Sequence, residues 1–235
     1  SSSAASDVYK RQDEIRIYND GEPFSIEDVE SICKAGQSSK TPQDYIGYLG
    51  VGFKAVFLIS EHTEICSGNF RFGFSKSAWD GPDHMPWQIV PLWLDSPQIG
   101  LPERYRTAFS IHLKEAALLD RIREEVKTDR LNNRILLFLR NIREIEITDS
   151  SRNFKREIRM SRLSETSEYE IYQIQEHEYS ELLSRNIMVA DDRWLVFRSF
   201  CTVPREVKED FMTKEWERDN IDNREVSVAF KLGRD

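Results

Sequence analysis

Three glycines and the residues behind them carry the strongest chemical signal in the sequence: Gly47-x-x-Gly50-x-Gly52-Phe53-Lys54. Glycines spaced in this way let a backbone turn sharply and approach a ligand with no Cβ in the path. Lys54 to Ser60 reads as a mostly buried helix directly after the box. Its free N–H groups and the positive end of its dipole would face the same space. That combination is a cradle for phosphate. A tight structural turn ahead of a helix fits the same residues. The box is not a P-loop, because no Gly-Lys-Ser/Thr follows, and its spacing is not that of a dinucleotide fingerprint.

Other constellations are weaker. His62, His84, His112 and His177 show no metal-ligand spacing with one another or with Cys33, Cys66 and Cys201, so no metal site is expected. Trp79, Trp87 and Trp93, set around Pro86 and Pro91, read as loop residues packed over a sheet, with an aromatic binding surface as the alternative. No nucleophile elbow is present, and catalytic residues remain unassigned. The balance of 33 Lys+Arg against 41 Asp+Glu gives a net charge of −8. This argues against a whole-surface nucleic-acid or anionic-membrane binder and leaves room for a local anion site. The longest apolar runs, 55–59 and 135–139, are far too short to span a membrane. Three widely spaced cysteines without a C-x-x-C point to a reducing, cytoplasmic setting.

The elements that must position the box follow from periodicity. Ile15 and Ile17 alternate with charge as in a half-buried strand, which ends at the turn Asn19-Asp20-Gly21. Ser25 and Asp28 form a capping-box pair, with Phe24 and Val29 at the staple positions and Gly36 as a stop, which predicts a short helix. Gln37 to Tyr45 reads as a loop. Strands are expected at Glu64–Ser67, over Phe70, Phe72 and Phe74, and over Thr107–Leu113, with Trp79–Pro102 an irregular excursion. Ile122, Val126, Leu131, Ile135, Phe138 and Ile142 follow helical spacing, with an interruption near Asp129-Arg130, and Ile145 and Ile147 alternate again. Beyond Asp149, strands are expected near Ile158, at Tyr169–Ile174, Trp194–Val203 and Val226–Leu232, with Pro204–Glu225 a solvated helix or loop. The fold class is α+β.

The ordered series Asn19-Asp20-Gly21-Glu22-Pro23-Phe24, Ser38-Ser39-Lys40, Ile46 to Phe57 and Thr107 resembles the GHKL ATP-binding superfamily, which includes heat-shock chaperones, DNA gyrase and sensor histidine kinases. Within it the series is most similar to the chaperone branch, and to the sacsin and NO VEIN-like relatives in particular. The resemblance covers roughly Glu14 to Thr148. It implies a two-layer α/β sandwich that binds ATP, with Mg in the intact protein. Aligned on Gly21, Asn19 rather than Asp20 falls where the family places the aspartate that hydrogen-bonds the adenine amino group, and an Asn oxygen can also accept there. By the same resemblance Gly21 lets the strand end pass under the base, and Ser38, Ser39 and Lys40 belong to a lid. Gly47, Gly50, Val51, Gly52 and Phe53 wrap the phosphates, and Thr107 supports the adenine contact.

The ends shape the remaining expectations. Ser1 to Gln12 reads as a non-native leader, 13–149 as a truncated ATP-binding domain, and 150–235 as the start of a β-rich second domain. The family's first helix, with its water-orienting glutamate and magnesium-holding asparagine, would precede Glu14, so this chain by itself is expected not to hydrolyse ATP. The expected function is nucleotide-driven lid closure that signals to downstream domains or client proteins. The alternative is a fold-retaining interaction scaffold without turnover. Neither a membrane nor a nucleic acid is an expected partner.

Overall fold

The computed structural model describes residues 14–33, 53–79, 86–139, 141–211 and 222–233. The chain divides into two compact units, Ser1–Glu125 and Val126–Asp235. Each is built on a five-stranded antiparallel sheet, so the architecture is mixed α/β and dominated by strands.

In the first unit the strands are β1 (Glu14–Asn19), β2 (Ser60–Ser67), β3 (Phe70–Ser75), β4 (Leu92–Trp93) and β5 (Thr107–Leu113). They lie in the order β1-β5-β2-β3-β4. Helix α1 (Ile26–Cys33) starts as the capping box requires: the Ser25 amide donates to Asp28 Oδ2 at 2.9 Å and the Asp28 amide donates to Ser25 Oγ at 3.2 Å. This satisfies two otherwise orphaned donors. Val29 of α1 packs with Phe57, Ile65, Phe72, Phe74 and Trp87 on one face of the sheet, and Phe24 joins the same cluster. Side chains alternate along a strand, so Cys66 next to Ile65 faces the other way, where Ala108 and Ile99 bury it.

The segment after the glycine box departs from the single buried helix expected over Lys54–Ser60. Phe53–Ala55 is a 3-10 turn, α2 (Val56–Ile59) is one turn of α-helix, and Ser60 is already extended. Phe57 is buried while Leu58 is 78% exposed. The Ser60 hydroxyl accepts from the His62 amide and donates to the His62 carbonyl, local bonds that favour strand over a further helical turn.

The second unit is a meander of β6 (Glu144–Asp149), β7 (Phe154–Glu165), β8 (Glu170–Ser180), β9 (Arg185–Thr202) and β10 (Asn223–Lys231). The strand expected over Ile145 and Ile147 is thus paired to β7. Leu136 and Leu137 pack onto Ile158, Met160, Tyr172, Ile174, Trp194 and Val196 to form its core. The helical spacing that ran from Ile122 to Ile142 is broken more thoroughly than expected. Helix α3 (Ala116–Glu125) ends the first unit, and a 3-10 stretch, Asn133–Phe138, follows a turn. The reason lies in Arg156, which is fully buried. Its guanidinium donates to the carbonyls of Val126 and Leu131, both at 2.7 Å, and to Glu176 Oε1 at 2.8 Å. The two carbonyl bonds, one on each side of the turn at 127–130, hold the chain folded over the buried guanidinium where a straight helix would carry it away. Pro204–Glu225 carries a short helix, α4 (Arg205–Glu209), and its last residues, from Asn223, already belong to β10.

Among the described residues no helix is long and apolar enough to cross a membrane. Cys33, Cys66 and Cys201 are all free thiols.

Candidate functional site

Three adjacent strands of the first unit finish in one row. Asn19, the last residue of β1, is the register partner of Thr107, the first residue of β5, and Thr107 is in turn the partner of Ser67, the last residue of β2. Backbone bonds lock the row: the Arg106 amide donates to the Asn19 carbonyl at 2.9 Å, and the Gly68 amide donates to the Arg106 carbonyl at 3.1 Å. Gly68 has φ +54°, the left-handed region that favours glycine.

Ser67 and Thr107 are buried, and their hydroxyl oxygens lie 2.6 Å apart. The Phe24 amide also donates to Ser67 Oγ, at 2.8 Å. The chain leaving β1 is therefore pinned across the strand ends. Because one of the two hydroxyls donates to the other, the pair retains one O–H for a further acceptor.

Asn19 and Gly21 form an Asx turn, with the Gly21 amide donating to Asn19 Oδ1 at 2.8 Å. This bond fixes which end of the Asn19 carboxamide is oxygen. A Cβ at Gly21 would sit 2.8 Å from that same oxygen, so glycine here keeps the side chain of Asn19 in place. Asn19, Asp20 and Gly21 are exposed. One lone pair of Asn19 Oδ1 and its amide hydrogens remain available to a ligand.

Phe109, two residues along β5 from Thr107, ties this row to the end of the glycine box. Its ring lies 6.1 Å from Phe24 and 6.2 Å from Phe53. Phe53 further packs against Phe57 and Phe74 at 5.5 and 5.9 Å. Such ring pairs stabilise beyond their buried area. Lys54 turns inward. Its ammonium donates to the carbonyls of Ile32, at the C-terminal end of α1, and of Gln88, and it lies 5.6 Å from the Phe57 and Phe74 ring centroids. Burial pushes the Lys54 amine below its ordinary value, with the nearby Cys33 sulfur acting in the opposite sense.

Of the residues assigned to the site from sequence, Asn19, Asp20, Gly21 and Thr107 are brought together at the strand ends, and Phe53 is joined to them through Phe109. Ser38, Ser39, Lys40, Gly47, Gly50, Val51 and Gly52 lie outside the described residues. Ser67 was not singled out by sequence. The signal that would have found it is the strand-ending Ser67-Gly68-Asn69, a hydroxyl placed just before a turn.

The chain is similar to Protein NO VEIN of Arabidopsis thaliana, with 34% identity over 103 residues, or 43% of this chain. It spans 4% of that relative's length. No protein-family model and no solved structure matches the chain.

Proposed function

We propose that the first unit is an ATP-binding module of the GHKL type, related to the NO VEIN-like branch, in which nucleotide binding closes a lid and signals to further domains. The observation that carries this reading is the Asn19–Thr107–Ser67 row, coupled through Phe109 to the residue directly after Gly52. An exposed carboxamide acceptor beside a hydroxyl pair suits the amino and ring-nitrogen edge of adenine, which offers one donor and one acceptor. Gly47, Gly50, Val51 and Gly52 supply backbone amides for the phosphates, and Lys40, with Ser38 and Ser39, contributes to the lid. Magnesium would accompany ATP in the intact protein.

A specific feature favours a second reading, a scaffold that has kept the fold without turnover. A neutral Asn stands at the family's aspartate position, and its oxygen is already engaged by Gly21. The two readings separate in one experiment on the 235-residue chain. ATP and GTP affinities are measured by competition against a fluorescent ATP analogue, with and without Gly52→Val. The ATP reading expects preference for ATP by a factor of about 5 to 150, the equivalent of roughly 1–3 kcal/mol for one mispaired polar group. It also expects Gly52→Val to lose binding while keeping its circular dichroism. Equal affinities would remove Asn19 and Asp20 from the site, and no binding of either nucleotide would favour the scaffold.

A further inference from the structure

Strand β10 forms one edge of the second unit's sheet, and among the described residues it pairs with β9 alone. An open edge strand is a template for another strand, and folded chains blunt such edges with charges, proline or bulges. The interior of β10, Val226-Ser227-Val228-Ala229-Phe230, has none of these. Its register with β9 runs from Asn223↔Thr202 to Lys231↔Trp194 without a shift.

The two sides of the strand differ. Ala229 packs against the core of the unit, and Glu225, Ser227 and Lys231 share its side. On the opposite side Val226 and Val228 are each 45% exposed and Phe230 is 54% exposed. These three continue into Phe197, the register partner of Val228, whose ring lies 6.2 Å from Phe230 and 6.1 Å from Tyr169.

Around Val228 the strand is complementary to itself. A second copy laid antiparallel on the open edge, with the two-fold axis at Val228, sets Val226 against the partner's Phe230 and Val228 against the partner's Val228. Directly opposite residues share a face of the sheet, so each of these side chains gains an apolar neighbour across the seam. The same register sets Glu225 against the partner's Lys231. Within the chain Glu225 lies 3.5 Å from Arg198, and Lys231 lies 2.8 Å from Asp192. Across the seam the order Arg198, Glu225, the partner's Lys231, the partner's Asp192 therefore alternates in sign. Sliding one copy by two residues places Lys231 opposite the partner's Asn223 or Ser227 and loses both ion pairs.

We propose that β10 is a self-association surface, through which two copies of this chain join edge to edge, antiparallel about Val228, into one continuous sheet. The interface is isologous, as a two-fold dimer requires. The proposal stands independently of nucleotide binding by the first unit.

Sedimentation velocity of the 235-residue chain at rising concentration is expected to show a monomer–dimer equilibrium with a micromolar dissociation constant, as suits a small interface. Val228→Lys sets two like charges against each other at the two-fold axis and should weaken the dimer about tenfold. The register is read by crosslinking with a short bis-maleimide in a Cys201→Ser background, with that parent as the blank. Val228→Cys should be captured as a covalent dimer. Val226→Cys should not be captured unless Phe230→Cys is added, because residue 226 faces residue 230 of the other copy. Val226 and Val228 are equally exposed, so random collision would capture both alike. These cysteine variants keep the test open if Val228→Lys does not fold. A chain that stays monomeric at every concentration overturns the proposal. So does a dimer that leaves Val228→Cys uncaptured or captures Val226→Cys as readily.

Discussion

Thr107 and Ser67 illustrate how little side-chain chemistry the candidate site needs. Their joined hydroxyls, with the Phe24 amide on Ser67, fix the strand ends and the chain that leaves β1. Thr107→Val keeps the shape and removes one hydroxyl, and Ser67 retains its bond from Phe24. The expected loss of stability is therefore modest, about 0.5–1.5 kcal/mol, read from amide exchange in β5 and β2. A larger loss would mean that the pair organises more than this row. Glu176 belongs to a costlier class. It and Arg156 are both fully buried, and breaking one partner of such a pair commonly costs about 3–5 kcal/mol. Two backbone carbonyls still receive the guanidinium in Glu176→Gln, so a loss near the lower end, about 3 kcal/mol, is expected from amide exchange in β7–β9. Neither residue of this pair was legible in the sequence. In a chain with 31% charged residues, an Arg and a Glu on successive strands look like a solvated face until the register and the turn at 126–131 close over them.

At the scale of elements, Lys54 acts as a strut between the end of α1 and the turn near Gln88. A cation at a helix C-terminus also complements the dipole. Lys54→Met leaves both carbonyls without their partner, and a loss of about 1–3 kcal/mol is expected in thermal or urea unfolding. An unchanged midpoint would show that water replaces the ammonium. The row of titratable groups on β1, β5 and β2 sets a pH response. Burial and the neighbouring His62 hold His112 below the ordinary histidine value, against the opposing influence of Glu14 and Glu64 and with Arg16 adding to the depression. Burial would raise Glu64, but the His62 ring and the amides of Gln98 and Ile99 leave it below the ordinary carboxylate value. For both groups the unfolded chain binds protons more readily, so their contribution is present at neutral pH. It is lost as pH falls, first through the histidine range and then through the carboxylate range. Urea midpoints should therefore drop between neutral pH and about pH 5, and His112→Asn should reduce that drop. An equal drop in the variant would remove His112 as its source.

Taken as a whole molecule, the chain is two units with separate cores and separate sheets. Periodicity made most of the strands and α1 legible, because Ile15 and Ile17, the Phe70-Phe72-Phe74 alternation and the Ser25–Asp28 cap are all local signals; β4 lies in the stretch expected to be irregular, and β9 starts at Arg185, ahead of the expected Trp194. The interruption near Asp129-Arg130 was legible, but the short α2 and the end of α3 already at Glu125 were not, since each depends on a partner distant in sequence or on a competing local bond. The Asn19–Thr107 pairing joins residues far apart in the chain, and the resemblance to the GHKL superfamily, not periodicity, brought both into one list. The central claim is that this row recognises a purine base. Its most direct test is a heteronuclear NMR titration of the 235-residue chain with ATP and then GTP. ATP is expected to shift the backbone amides of Gly21, Gly68 and Thr107 saturably, and GTP to do so more weakly. Shifts that avoid these three amides, or that are the same for both nucleotides, would contradict it.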